Sequence, residues 1–153
     1  TKDDGTLIGL RAYIELSFDK TPFSDYEKYH EKLMKYTYTY PNDYTVKAIE
    51  QQYIDWTKFD DPETNYFYTY QEMATDMSYR CPADAVARYF YQNGNKVFVW
   101  KFSHYPERST YSVFPFVKEQ QLWPWRGVAH AEDIPFVFGQ QFMPHWEYNR
   151  TQE

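Results

Sequence analysis

The chemistry available to this chain starts with one histidine. His130 follows Gly127-Val128-Ala129 and precedes Ala131-Glu132-Asp133. Gly127 permits a turn there, and the start of a short acidic helix is expected over 131–133. Imidazole is the usual general base near neutral pH, and a loop mounted on a large aromatic core is a suitable place to hold one. From residue type alone, packing or capping is the commoner fate of such a histidine, so both roles stand at this point. His30 falls on a polar helical surface, and His104 and His145 have no metal-like partners at useful spacing. No metal and no other cofactor is expected.

A base needs an acid to orient it and a nucleophile to serve. Asp3 and Asp4 lie in a polar, turn-like segment that is either a solvated turn or a source of that acid. The serines are Ser17, Ser24, Ser78, Ser103, Ser109 and Ser112, and none has the Gly-x-Ser-x-Gly flanks of a nucleophile elbow. Gly5, Gly9, Gly94, Gly127 and Gly139 stand apart, so no glycine-rich oxyanion segment is present.

Composition bounds the rest. The 153 residues suit one domain with a sizeable core. With 16 basic against 22 acidic residues the net charge is −6, and no basic run offers a footprint for nucleic acid or an anionic membrane. The mean hydropathy is −0.84, and no apolar stretch approaches the ~18 residues of a membrane-spanning helix. Aromatic residues make up 22% of the chain, too much to stay solvated in a disordered one. A single cysteine excludes an internal disulfide framework.

The elements that must position His130 follow from periodicity. Ile8, Leu10, Ala12, Ile14, Leu16 and Phe18 alternate as a strand would. Ser24 with Glu27 reads as a capping box opening a helix to about Tyr36, with Tyr26, Tyr29, Leu33 and Tyr36 on one face. Asp43 is expected to cap a second helix carrying Val46, Ile49 and Tyr53, and Asp61-Pro62 to open a third running to Ala74. Cys81-Pro82 starts a fourth, stopped by Asn93-Gly94-Asn95. Lys96 to Ser103 is the clearest strand, rich in β-branched and aromatic residues. Residues 104–125, with three prolines, read as irregular. Few segments read as buried strands, so an α/β domain would have most of its sheet elsewhere.

Four ordered segments resemble one family. Gly127-Val128-Ala129-His130-Ala131-Glu132-Asp133-Ile134-Pro135-Phe136-Val137-Phe138-Gly139 is similar to the catalytic-histidine segment of the type-B carboxylesterase/cholinesterase-like α/β-hydrolases. Thr1-Lys2-Asp3-Asp4-Gly5-Thr6 resembles the segment carrying that family's triad acid, Gln52-Tyr53-Ile54-Asp55-Trp56 its Gln-Tyr-Thr-Asp-Trp, and Asp76 to Pro82 its Asp-x-x-x-x-Cys-Pro. The resemblance covers essentially the whole chain and implies the C-terminal portion of an α/β-hydrolase fold, helices plus late sheet strands, with residues 1–153 belonging to a single domain. Immediately after the acid the family has helix or irregular chain, against the alternation of 8–18, and the family pattern is favoured there.

Carried over residue by residue, the resemblance makes Asp4 the triad acid, where the family usually has Glu, and His130 the general base. Asp3 and Asp133 become structural support. Leu7 and Ile8 fall in the substrate pocket, Leu7 at the position of an aromatic that contacts choline in acetylcholinesterases; loss of the ring points to a general carboxylesterase. Trp125 and Glu132 match gorge-lining positions. Cys81 matches a cysteine that bridges to a later helix, or is a buried thiol, and Asn149-Arg150-Thr151 is a glycosylation sequon. Together these favour a secreted or lumenal protein. The missing serine and oxyanion loop precede the acid in this fold, so the expectation is a C-terminal fragment, such as one product of cleavage, incomplete without an N-terminal companion chain of the same hydrolase. The implied activity is hydrolysis of small carboxylic esters through an acyl-enzyme. The rival is a catalytically inactive cholinesterase-like secreted domain for adhesion or protein binding.

Overall fold

The first three helices each begin where a side-chain oxygen reaches a backbone N–H that the first turn leaves without a partner. A computed structural model of the chain describes residues 2, 21, 23–36, 42–106, 109–110 and 124–143. Helix α1, Tyr26–Tyr36, opens at Asp25, whose Oδ1 accepts the N–H of Lys28 at 2.8 Å. The Ser24–Glu27 capping box is thereby corrected: the carbonyl of Ser24 accepts the N–H of Tyr66 and ties two helix entries together. Helix α2, Asp43–Tyr53, is capped by Asn42, one residue before the expected Asp43, and carries Val46 into the core as its spacing requires.

Helix α3 is Tyr66–Thr75, capped by Asn65. The expected start at Asp61-Pro62 is also corrected. Asp61 Oδ1 accepts the N–H of Glu63 at 2.9 Å, and Thr64 donates its hydroxyl to the Lys58 carbonyl. Aspartate bonded two residues ahead makes a turn, and the chain reverses before helix can propagate. Asp55 likewise caps the short turn Trp56–Lys58.

Helix α4, Cys81–Gln92, follows α3 through a π-turn, Asp76–Arg80, in which the N–H of Cys81 reaches the carbonyl of Asp76. Pro82 explains the widening. Proline has no N–H and its ring collides with the carbonyl four residues back, so a locally wider turn lets the helix continue through it. Asn93 and Gly94, with φ of 81°, end α4 as expected. Helix α5 is the short Ile134–Val137.

The core is an aromatic cluster about α3, which buries Tyr66, Phe67, Tyr70, Met73 and Ala74 against Tyr29 and Leu33 of α1 and Val46 of α2. Phe67 meets Phe23 and Trp125 edge to face, with ring centroids 5.5 and 5.2 Å apart. The Trp125 contact joins the helical core to the loop of His130. Glu50 of α2 is buried where α2 meets α1, accepting the Tyr26 hydroxyl at 3.0 Å with His30 Nδ1 at 2.7 Å.

The strand expected over 96–103 forms no ladder, and none of the described residues lies in a strand. An extended segment becomes a strand only when a neighbour supplies hydrogen bonds, and no described segment does. It runs along α4, lining a groove with Ala83, Val86, Ala87 and Phe90. No α4 residue is buried, and Phe98 and Trp100 are 87% and 62% exposed. The alternating stretch 8–18 lies outside the described residues. Among the described residues no helix is long and apolar enough to cross a membrane.

Candidate functional site

His130 stands at the outer end of a loop pinned at both shoulders. The loop leaves the short turn Pro124–Arg126 and bends at Gly127, with φ of 60°, as the sequence predicts. It carries Val128 and Ala129 into the interior and turns again at Ala131, with φ of 69°. The helix start expected over 131–133 is a turn, and α5 begins at Ile134. A left-handed alanine cannot continue a right-handed helix.

Beneath the loop lies a charge pair of which the sequence reading placed only one member. Arg126 and Glu132 have side chains 1% and 0% exposed, and Arg126 Nη1 donates to Glu132 Oε1 at 2.5 Å. Nη1 also donates to the Gly127 carbonyl at 3.2 Å and Nη2 to the Pro106 carbonyl at 3.1 Å. The guanidinium lies over the Tyr105 ring, 4.4 Å from its centroid. Ser109 Oγ donates to Glu132 Oε1 at 2.5 Å and the N–H of Thr110 to Oε2 at 3.0 Å. The Thr110 hydroxyl donates to the Ala131 carbonyl. Both carboxylate oxygens are thus engaged. The signal in the sequence was an arginine and a glutamate of opposite charge on either side of the histidine.

The His130 ring packs on Tyr79, centroids 4.8 Å apart and planes inclined by 34°. Tyr79 belongs to the π-turn, so the widening that accommodates Pro82 also sets the ring under the histidine. The next residue, Arg80, donates through Nη1 to Asp76 Oδ1 at 2.6 Å and through Nη2 to the carbonyl of Lys2 at 3.2 Å. A cleft of about 690 Å³ opens here, lined by His130 and Asp133 on one side and Tyr79, Arg80 and Asp84 on the other.

The other sequence candidates fall as follows. Trp125 is buried against Phe67. Cys81 is exposed at the start of α4. Asp3, Asp4, Leu7, Ile8 and Asn149 lie outside the described residues. Of the two proposed triad members, His130 alone is described. Among the described residues no cluster of three or more His, Cys, Asp or Glu could hold a metal ion.

A profile described as the carboxylesterase family matches residues 1–153. The chain is 32% identical over 108 residues to acetylcholinesterase of Gallus gallus, covering 70% of this chain and 12% of that protein. It is 28% identical over 155 residues to cholinesterase of Mus musculus, covering 99% of this chain and 23% of that protein. Acetylcholinesterase of Leptinotarsa decemlineata is 26% identical over 149 residues, 96% of this chain and 22% of that protein. The chain therefore spans less than a quarter of the length of these curated relatives.

Proposed function

Because this chain belongs to the carboxylesterase family, whose fold is the α/β-hydrolase, we propose that it supplies the general base His130 and the triad acid Asp4 of a serine hydrolase acting on carboxylic esters. The nucleophilic serine and oxyanion donors stand on the N-terminal portion of the same hydrolase. The observation that carries this reading is His130 itself: a half-buried imidazole, on a loop bonded on both sides, facing a cleft. The bond from Arg80 to the Lys2 carbonyl supports the pairing, since it holds the chain two residues before Asp4 beside the turn on which His130 rests.

The chemistry follows from the residue types. Asp4 accepts the N–H of one imidazole nitrogen and keeps the other free to take the serine proton as the serine oxygen attacks the ester carbonyl. The tetrahedral intermediate collapses, the alcohol leaves with the proton held by His130, and an acyl-enzyme remains. Water repeats the sequence and releases the acid. Leu7 and Ile8 are assigned to the substrate pocket by the family match, and an aliphatic Leu7 suits general esters better than a quaternary ammonium, which favours an aromatic face. Trp125 and Glu132, both buried, back the pocket wall. Asp3 and Asp133 are structural support. The exposed apolar groove between α4 and residues 96–100 supports a companion that covers it, and a neighbouring strand there would complete the ladder 96–103 lacks. Disulfide bonding of Cys81 and glycosylation of Asn149 belong with a secreted or lumenal protein.

The test uses the assembled hydrolase and a fluorophosphonate probe. Labelling of a serine in a Gly-x-Ser-x-Gly sequence, lost in His130→Ala, is the expected result. A companion with no such serine, and no labelling, would make the adhesion or binding domain the better reading.

A further inference from the structure

Two residues flanking His130 carry opposite charges, and both are withdrawn from water. A buried ion pair is a poor source of stability, because desolvating the charges offsets most of their attraction. Its distinctive property is direction. The planar guanidinium offers five N–H donors in a rigid fork, and a carboxylate accepts along its lone pairs. Here those directions are spent on backbone. Arg126 holds the Pro106 and Gly127 carbonyls; Glu132 holds the Thr110 N–H, whose hydroxyl holds the Ala131 carbonyl. Gln71 of α3 adds a bond from Nε2 to the Arg126 carbonyl at 3.4 Å. Gly127 and Ala131 bound the histidine loop, and both have positive φ. With the two ends held in a left-handed conformation and Val128 and Ala129 buried, few directions are left to the bond from Cα to Cβ of His130. Apolar side chains of equal volume would fill the same space without dictating where either carbonyl points.

We propose that the Arg126–Glu132 pair is a positioning clamp for the general base: it closes the 126–132 loop from beneath and sets the direction of the His130 imidazole, touching no substrate. This rests on His130 being the base. Neither residue is a catalytic residue, and Ser109, through Glu132, belongs to the same clamp.

The experiment compares native hydrolase with Arg126→Met, Arg126→Lys, Glu132→Gln and His130→Ala, assembled with the remainder of the enzyme. Turnover of p-nitrophenyl acetate is measured per folded molecule, the folded fraction being read from tryptophan fluorescence during thermal unfolding. Arg126→Met and Glu132→Gln are expected to lower kcat about 10- to 100-fold, as misplacement of a base by about an ångström does, with KM within about twofold of native. Arg126→Lys, with charge but no fork, is expected to fall between. A residue needed only for folding would lower the folded fraction and leave kcat per folded molecule unchanged; that result in Glu132→Gln, which keeps the shape of the side chain, overturns the clamp even if Arg126→Met does not fold. If His130→Ala turns over like native, the reading of His130 as base fails, and the clamp with it. An inert His130→Ala beside undiminished Glu132→Gln and Arg126→Lys removes the clamp alone.

Discussion

The ring of Tyr79 supports the ring of His130, centroids 4.8 Å apart across the junction between the π-turn and the histidine loop. A ring at that distance limits the tilt of the imidazole by packing against its face. Tyr79→Phe is therefore expected to keep the activity of the assembled hydrolase, and Tyr79→Ala to lower kcat about tenfold. Steady-state kinetics on the two variants checks this; equal loss in both would assign the effect to the hydroxyl.

Ala131 is the one described non-glycine residue with positive φ. For an L-residue the left-handed region costs roughly 1–2 kcal/mol, of which part returns as the greater entropy glycine loses on folding. Ala131→Gly is expected to stabilise the protein by about 0.5–1 kcal/mol, seen as a higher urea midpoint. An unchanged or lower midpoint would mean the turn is not strained.

The buried pair should behave as a unit in stability. Removing the arginine alone leaves the Glu132 carboxylate without its counter-charge in the interior, so Arg126→Met is expected to cost about 3–5 kcal/mol. The double variant Arg126→Met/Glu132→Leu replaces both charges with apolar volume and is expected to recover most of that. Chemical denaturation of the single and double variants gives the comparison, and additive losses would contradict it.

Alkaline pH tests the helical core. Burial first, and then the acceptor Glu50, push the Tyr26 phenol up to about 12. Burial and then Asp76, which accepts the Tyr53 hydroxyl at 3.1 Å, do the same to Tyr53. An unfolded phenol loses its proton near 10. Between about 10 and about 12 the folded chain thus holds protons the unfolded chain has released. Stability is whole below that window and falls as pH rises through it. Tyr26→Phe and Tyr53→Phe should each flatten the decline in urea midpoint between about pH 9 and about pH 12.

Hydrogen exchange follows the missing ladder. Amides of 96–103 should exchange quickly in this chain alone and become protected when the N-terminal portion is added, together with loss of dye binding to exposed Phe98 and Trp100. Exchange that stays fast in the assembled protein would mean the segment is not a strand there either.

Local chemistry in the sequence was enough for much of this. Tyr26, Tyr29 and Leu33, spaced for one helical face, do line α1, and Gly94 and Gly127 do turn where a residue without Cβ can. Helix starts slipped where several capping residues compete: Asp25 is used rather than Ser24, and Asn65 rather than Asp61. Propensity ranks such residues alike, and the packing of α1 on α3 selects among them.

His130 could be singled out in the sequence because its loop chemistry and family pattern are contiguous there. What surrounds it could not. Tyr79 and Ser109 are distant in the chain, and their places under and behind the histidine loop depend on where tertiary packing sets the π-turn and Ser109. The strand pattern of 96–103 was equally plain in the residues and yet yields no strand, because a ladder belongs to two segments and a sequence pattern to one. Periodicity, caps and turn residues are local energies and can be read along the chain; burial, ion pairing and strand pairing are energies between distant parts, settled by tertiary structure alone.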